Sequence, residues 1–144
     1  MRLNPPVVDD ARAADLSGLV IRPASEADVG PLLLTWPGSV SQVDRLRRQA
    51  AGESIFVLGW LDGAVVARAE LKLAGCAAEA VQACHPGVPE INGLDVVDRL
   101  QGRGIGTALI RHLARVAVER GFDRIGLGVE PTNDGARRLY ERLG

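Results

Sequence analysis

The order of elements across residues 90–130 constrains the fold more than any other feature of this sequence. EINGLDVV (90–97) is rich in β-branched and apolar residues and reads as a strand. Residues 105–120 place Ile105, Leu109, Leu113 and Val116 or Ala117 at helical spacing, with Gly121 as the stop. RIGLGVE (124–130) alternates with period two and reads as a second strand. Strand, helix and strand in that order require a parallel pair joined by a right-handed crossover. Upstream, SIFVLGWL and AVVARAELKL flank Asp62-Gly63, the dipeptide of a two-residue hairpin, so antiparallel strands neighbour the parallel pair. The expected fold class is α/β, of the α+β mixed-sheet kind, with a central mixed β-sheet flanked by helices.

The rest of the chain fits around that sheet. LVIRP (19–23) reads as a short strand. SEAD (25–28) places Ser25 at an N-cap and Asp28 three residues on, which opens a helix through about Thr35. Pro31 falls inside that pattern, so an irregular or kinked first helix is expected. WPGS (36–39) breaks it, VSQVDRLRRQAAGE (40–53) reads as a second helix ending at Gly52, and residues 74–89 form an irregular connection. TNDGARRLYERLG (132–144) starts a last helix, giving the order β-α-α-β-β-β-α-β-α. A length of 144 residues suits one domain, read as residues 19–144 behind a flexible leader at 1–18.

Composition removes several classes of function. The net charge is −1 and arginines are interspersed with acids, so no basic field exists for nucleic acid. Cys76 and Cys84 are the only cysteines, which leaves no disulfide framework. With His85 they offer three ligands in one loop and no closing pair, so no metal is expected. Cys84 and His85 are adjacent on that loop and cannot easily adopt the geometry of a nucleophile and its base. The start, MRLNPPVVDDARAADLSG, has neither the basic nor the apolar region of a signal peptide, and no apolar run is long enough for a membrane. The expectation is a cytoplasmic protein with no membrane partner.

Gly102, Gly104 and Gly106 stand at the junction between the strand at 90–97 and the helix at 105–120. Backbone N–H groups of a first helical turn lack intrahelical partners, and the helix dipole adds positive potential there. Glycines let a phosphate approach that backbone without meeting a Cβ. The turn is therefore a candidate phosphate or pyrophosphate cradle; the alternative is a bare strand-to-helix turn. A P-loop would need Lys before Thr107, and a dinucleotide fingerprint read from Gly102 would need glycine at 107; neither is present.

VVDRLQGRGIGTALI resembles the acetyl-CoA signature of the GNAT acetyltransferase superfamily, Q/R-x-x-G-x-G/A, over Gln101, Gly102, Arg103, Gly104, Ile105 and Gly106. VEPTNDGARRLYERLG is similar to that family's second cofactor segment, an Asn followed by Ala and then Tyr in a helix. The resemblance covers roughly residues 19–144 and implies acetyl-CoA as acetyl donor. It implies that backbone groups of Val96 and Val97 pair with the pantetheine arm, in a splay between the strands at 90–97 and 124–130. It also implies that the amides of residues 101–107, through Thr107, hold the pyrophosphate. Asn133 then contacts the pantetheine region and Tyr140 protonates the departing thiolate. Family members continue from such a terminal Gly into further strands. For a chain ending at Gly144 the expectation is an incomplete C-terminal edge, a truncation or a sheet completed by a second subunit in a homodimer.

Acetyl transfer to an amine with a pKa near ~10.4 needs a group that accepts a proton during attack. Glu90 opens its strand eleven residues before Gln101, the spacing at which the histone-modifying branch of the resembling family carries its general base. Burial beside Val88, Ile91 and Leu94 would raise its pKa. Glu70 and Asp95 are the next candidates, although Asp95 points away from Glu90 in a regular strand. A backbone N–H near Val96 would polarise the thioester carbonyl. Trp36 follows the first helix where the resembling family lines its acceptor pocket, Trp60 is a core or pocket-wall group, and His112 reads as a solvated-face residue. The expected activity is N-acetyl transfer by direct attack, with a carboxylate base and a tyrosine acid. The alternatives are a catalytically weak acyl-CoA-binding sensor or scaffold, and an interaction domain without a CoA site. Acceptors left open are a small molecule, a polyamine, an antibiotic amine and a protein N-terminus or lysine. Acids at Glu70, Glu90 and Asp95 suit a cationic amine.

Overall fold

The structure is a computed structural model and describes residues 16–38, 41–73 and 87–127. β1 (Val20–Pro23) leads through a 3-10 turn (Glu26–Asp28) into α1 (Val29–Thr35) and α2 (Ser41–Ala50). β2 (Ser54–Leu61), β3 (Ala64–Lys72) and β4 (Glu90–Val96) follow, then a 3-10 turn (Asp98–Leu100), α3 (Ile105–Glu119) and β5 (Gly126–Leu127). The strands form one sheet in the order β1-β2-β3-β4-β5. The first three junctions are antiparallel, and β4–β5 is parallel. This is the mixed sheet that the order of elements demanded.

Local chemistry explains the junctions. Asp62 at φ 51° and Gly63 at φ 79° both take left-handed backbone, the requirement of a type I′ hairpin whose twist matches its strands. Asp28 accepts the Ser25 N–H at 2.8 Å and both Arg22 guanidinium nitrogens at 3.1 Å, tying the end of β1 to the start of α1. Burial pushes the Asp28 carboxyl upward, but Arg22 and Ser25 outweigh it and hold the group below the ordinary carboxylate range. Pro31 is the third residue of α1, inside the first turn, where its missing N–H is tolerated. The irregularity expected there takes the form of the 3-10 turn ahead of a short helix. Thr35 Oγ1 donates to Val65 O at 2.8 Å and pins α1 to β3. Gly121, at φ 90°, ends α3 while Phe122 N–H reaches back to Ala117 O at 3.0 Å.

The sheet has two apolar faces. On one, Val57, Val66, Ala67, Leu71 and Ile91 pack against Ile105, Leu109, Ile110 and Leu113 of α3. On the other, Phe56, Leu58 and Val65 pack with Ala24, Leu32, Leu46 and the two tryptophans. Leu16 packs against the α3-side core. His112 is half-buried rather than solvated; burial and the nearby Arg115 charge both push its imidazole pKa down. No helix among the described residues is long and apolar enough to cross a membrane.

The pairing of β3 with β4 slips by one residue. Arg68 pairs with Asp95 and Glu70 with Asn92, so Ala69 alone stands opposite both Gly93 and Leu94. Gly93 takes φ 62°, the left-handed backbone of a glycine bulge. One extra residue reverses the alternation beyond it. Glu90, Asn92 and Asp95 therefore share a face with Arg68 and Glu70, while Ile91, Leu94 and Val96 pack towards α3. The bulge overturns the expectation that Asp95 points away from Glu90.

Of the strand expected at 124–130, the described part is Gly126–Leu127, paired at Glu90↔Gly126 and Ile91↔Leu127. The expected last helix at 132–144 lies outside the described residues, and so do Asn133, Tyr140, Cys76, Cys84 and His85. Leu113 is fully buried between α3 and the sheet. Leu113→Ala is expected to lower stability by about 3 kcal/mol with an unchanged denaturant slope, measured by urea unfolding.

Candidate functional site

The glycine turn is shaped by backbone demands at two positions. Gly102 and Gly104 take φ 77° and 91°, so a side chain at either is strained. No heavy atom lies within 4 Å of where a Cβ on Gly102 would stand, so the glycine serves conformation and openness there rather than packing. Gly106 lies within the first turn of α3 and carries no such demand. The first bond of α3 runs from Ala108 N–H to Gly104 O at 3.0 Å, so the amides of Ile105, Gly106 and Thr107 have no partner within the helix. The side chains of Ile105 and Thr107 are buried, whereas Gln101, Gly102 and Arg103 are exposed. The turn thus presents backbone donors and the positive end of a helix dipole, the chemistry of an anion cradle.

The neighbouring end of β4 is partly committed. Val97 N–H donates to Val66 O at 2.9 Å and Val97 O accepts Leu100 N–H at 2.9 Å. The implied pairing of Val97 with a ligand therefore meets a backbone already bonded within the chain. Successive amides of a strand point to opposite edges, which turns the Val96 N–H towards the β5 side. Gln101 Nε2 donates to Val96 O at 3.1 Å and to Asp98 Oδ1 at 3.3 Å, bracing the strand end against the turn.

The opposite face of β3 and β4 is ionic. Glu70 is 1% exposed and accepts Arg48 Nε and Nη2, both at 2.8 Å, and Ser54 Oγ at 2.7 Å. Arg45 Nε stands 3.8 Å from the same carboxylate. Burial pushes Glu70 upward, but these hydrogen bonds and the two arginine charges outweigh it and leave its pKa lowered. A carboxylate so fully claimed is an anchor for α2 rather than a proton acceptor, which removes Glu70 from the candidate bases. Asp95 pairs with Arg68 at 3.4 Å, and Arg68 lies over the Trp36 ring at 4.4 Å. Glu90 is 7% exposed and accepts Asn92 Nδ2 at 2.7 Å.

Sequence-expected groups thus fall on two sides of one strand: the anion cradle and Val96 at its end, and Glu90, Asp95 and Trp36 around its α1–α2 face. Reading the acids as a cationic-amine site omitted their partners, since Arg45, Arg48 and Arg68 face the same carboxylates. The bulge had a signal in Asn92-Gly93, a turn-forming dipeptide inside a strand pattern. Among the described residues no group of three or more His, Cys, Asp or Glu side chains is arranged to hold a metal.

Residues 27–144 match the family described as the Acetyltransferase (GNAT) family. The mycothiol acetyltransferase of Beutenbergia cavernae is 40% identical over 83 residues, which is 58% of this chain and 25% of that protein. The matched stretch therefore spans about a quarter of that relative's length. An aminoglycoside 6'-N-acetyltransferase of Acinetobacter haemolyticus superposes with TM-score 0.70 at 21% identity, over 87% of this chain and 89% of that one. A predicted acetyltransferase of Clostridium acetobutylicum, solved with acetyl-CoA, superposes with TM-score 0.63 at 17% identity, over 88% of each chain. The two superpositions establish a shared fold.

The Glu70 anchor has a pH signature. Its folded pKa lies below its unfolded one, so its contribution is present at neutral pH and is lost as pH falls through the folded value. Glu70→Gln is expected to cost about 2 kcal/mol at pH 7, less than a fully buried pair because Arg48 is partly exposed. The gap to the wild type narrows as pH falls below the ordinary carboxylate range, read by denaturant unfolding at descending pH.

Proposed function

Because this chain belongs to the Acetyltransferase (GNAT) family, we propose that it transfers the acetyl group of acetyl-CoA to a primary amine. The observation that carries this reading is the glycine turn before α3, whose amides have no partner within the helix and adjoin the strand end at Val96. Those amides and the dipole of α3 hold the pyrophosphate, with Gly102 and Gly104 keeping the turn open. The Val96 N–H, directed to the edge that β3 does not use, donates to the thioester carbonyl oxygen as negative charge grows on it. Acetyl-CoA supplies the acyl group as a thioester.

Glu90 opens β4 while the thioester lies at its Val96 end, so it accepts the proton of the attacking amine through intervening water, with Asn92 orienting its carboxylate through the 2.7 Å hydrogen bond. The nitrogen–carbon bond forms and the carbon–sulfur bond breaks. The amine loses one proton to Glu90 and the leaving sulfur gains one. By family resemblance Tyr140 is the donor of that second proton and Asn133 a contact to the pantetheine region. Asp95 and Trp36 flank the acceptor side, Asp95 balanced by Arg68.

Acetyl-CoA at about 100 times its dissociation constant is expected to stabilise the chain by about 2.7 kcal/mol, read as a higher melting temperature. Free CoA has the same effect and ATP has none, and Gly104→Val abolishes the response to both CoA species. Stabilisation without turnover of any amine marks a binding module instead. Glu90→Gln is expected to lower kcat by about 10²-fold while leaving the acetyl-CoA response intact, measured by thiol release together with the melt.

A further inference from the structure

The α1–α2 face holds cationic groups that the reaction above does not use. Arg45 lies on the sheet-facing side of α2, with its guanidinium against the β4 bulge. A Cβ on Gly93 would stand 2.9 Å from Arg45 Cζ, so the missing side chain there is what admits the guanidinium. Its carboxylate neighbour, Glu70, is already claimed by Arg48 and Ser54. Arg45 Nη1 is buried and has no hydrogen-bond partner among the described residues. One turn earlier on the same face of α2, Gln42 is 1% exposed, and neither its amide oxygen nor its amide nitrogen has a partner among them.

Arg45 and Arg48 share the Glu70 carboxylate, and Arg68 pairs with Asp95. Burial pushes both Arg45 and Arg68 below the ordinary guanidinium value, and the Arg45 charge pushes Arg68 further the same way. Among the described residues, a buried guanidinium N–H and, one helical turn away, a buried amide stand without hydrogen-bond partners, an expensive arrangement. An anion brought in by a ligand relieves it: a carboxylate accepts from Arg45 Nη1 and from an amide N–H, the pairing guanidinium groups favour. The cluster sits on the face of β4 that carries Glu90, three residues from Gly93.

Resting on the acetyltransferase reading, we propose that the acceptor is an amine bearing a carboxylate, an amino-acid-like molecule whose carboxylate binds at Arg45 with Gln42 as the adjoining donor. The amine then lies towards Glu90. The same cations reject polyamines, whose second ammonium group would meet like charge. Arg45 and Gln42 are specificity-determining here, and Glu90 does the chemistry.

The test compares matched amines with acetyl-CoA: lysine against cadaverine, and α-amino acids against their amides. Wild-type kcat/KM is expected to be at least tenfold higher for the carboxylate-bearing member of each pair, with the difference mainly in KM. Arg45→Met abolishes the preference and Arg45→Lys restores part of it. Gln42→Leu removes a buried unpaired amide, so it is expected to keep or raise the melting temperature while reducing the preference. Where no amine is turned over, the same pairs are compared by their effect on the melting temperature of the CoA-bound chain. Equal treatment of the pairs, preference for the member without the carboxylate, or a preference that survives both Arg45→Met and Gln42→Leu overturns the proposal alone. A chain whose melting temperature acetyl-CoA does not move overturns the acetyltransferase reading and this proposal with it.

Discussion

The bulge at Gly93 is the constraint on which both sides of the candidate site depend. It inserts one residue opposite Ala69 and reverses the alternation of β4 partway along the strand. Without it, Asp95 would face α3 and its carboxylate would enter an apolar core, a burial that an unpaired charge does not tolerate. With it, Glu90, Asn92 and Asp95 share the polar face, and Leu94 and Val96 complete the apolar one. Only a residue at ease with φ 62° fits there, and the absent Cβ also admits the Arg45 guanidinium. A single backbone feature thus joins the strand's register to the electrostatics of its α1–α2 face.

The two faces of the sheet divide the work. The α3 side is a close-packed apolar core of the kind that stabilises small domains, and it holds the glycine turn at the sheet's end. The α1–α2 side mixes a smaller apolar cluster with an ion network in which Glu70 collects Arg48, Ser54 and Arg45. Removing one partner from such a network leaves uncompensated charge, so it binds α2 to β3 specifically rather than by area. The division places the α3-side core beneath the glycine turn and leaves Arg45 Nη1 and the Gln42 amide without partners among the described residues on the α1–α2 side.

Much of this was legible in residue patterns because local rules and packing agree. The Asp62-Gly63 hairpin, the β4–α3–β5 crossover, the Gly52 and Gly121 stops and the open glycine turn each follow from one local requirement, and each appears at its expected place. Less legible was what depends on a one-residue change of register. Alternation counted along EINGLDVV puts Asp95 on the wrong face, and only the Asn92-Gly93 dipeptide hinted otherwise. The ion network was also hidden, because Arg45, Arg48, Glu70 and Asp95 come from three elements and nothing in their spacing pairs them. Val97 illustrates the same point: family resemblance offered its backbone to a ligand, whereas the sheet uses its N–H on Val66.

The central claim is that β4 keeps one edge for the sheet and offers the other to acetyl-CoA, with the change of edge falling between Val97 and Val96. Amide hydrogen exchange at these two positions, with and without acetyl-CoA, tests it residue by residue. The account predicts that Val97 exchanges slowly in both states, held by Val66, while Val96 becomes protected only when acetyl-CoA is added. Protection of Val96 that is already complete without ligand, or that acetyl-CoA leaves unchanged while it raises the melting temperature, would contradict it.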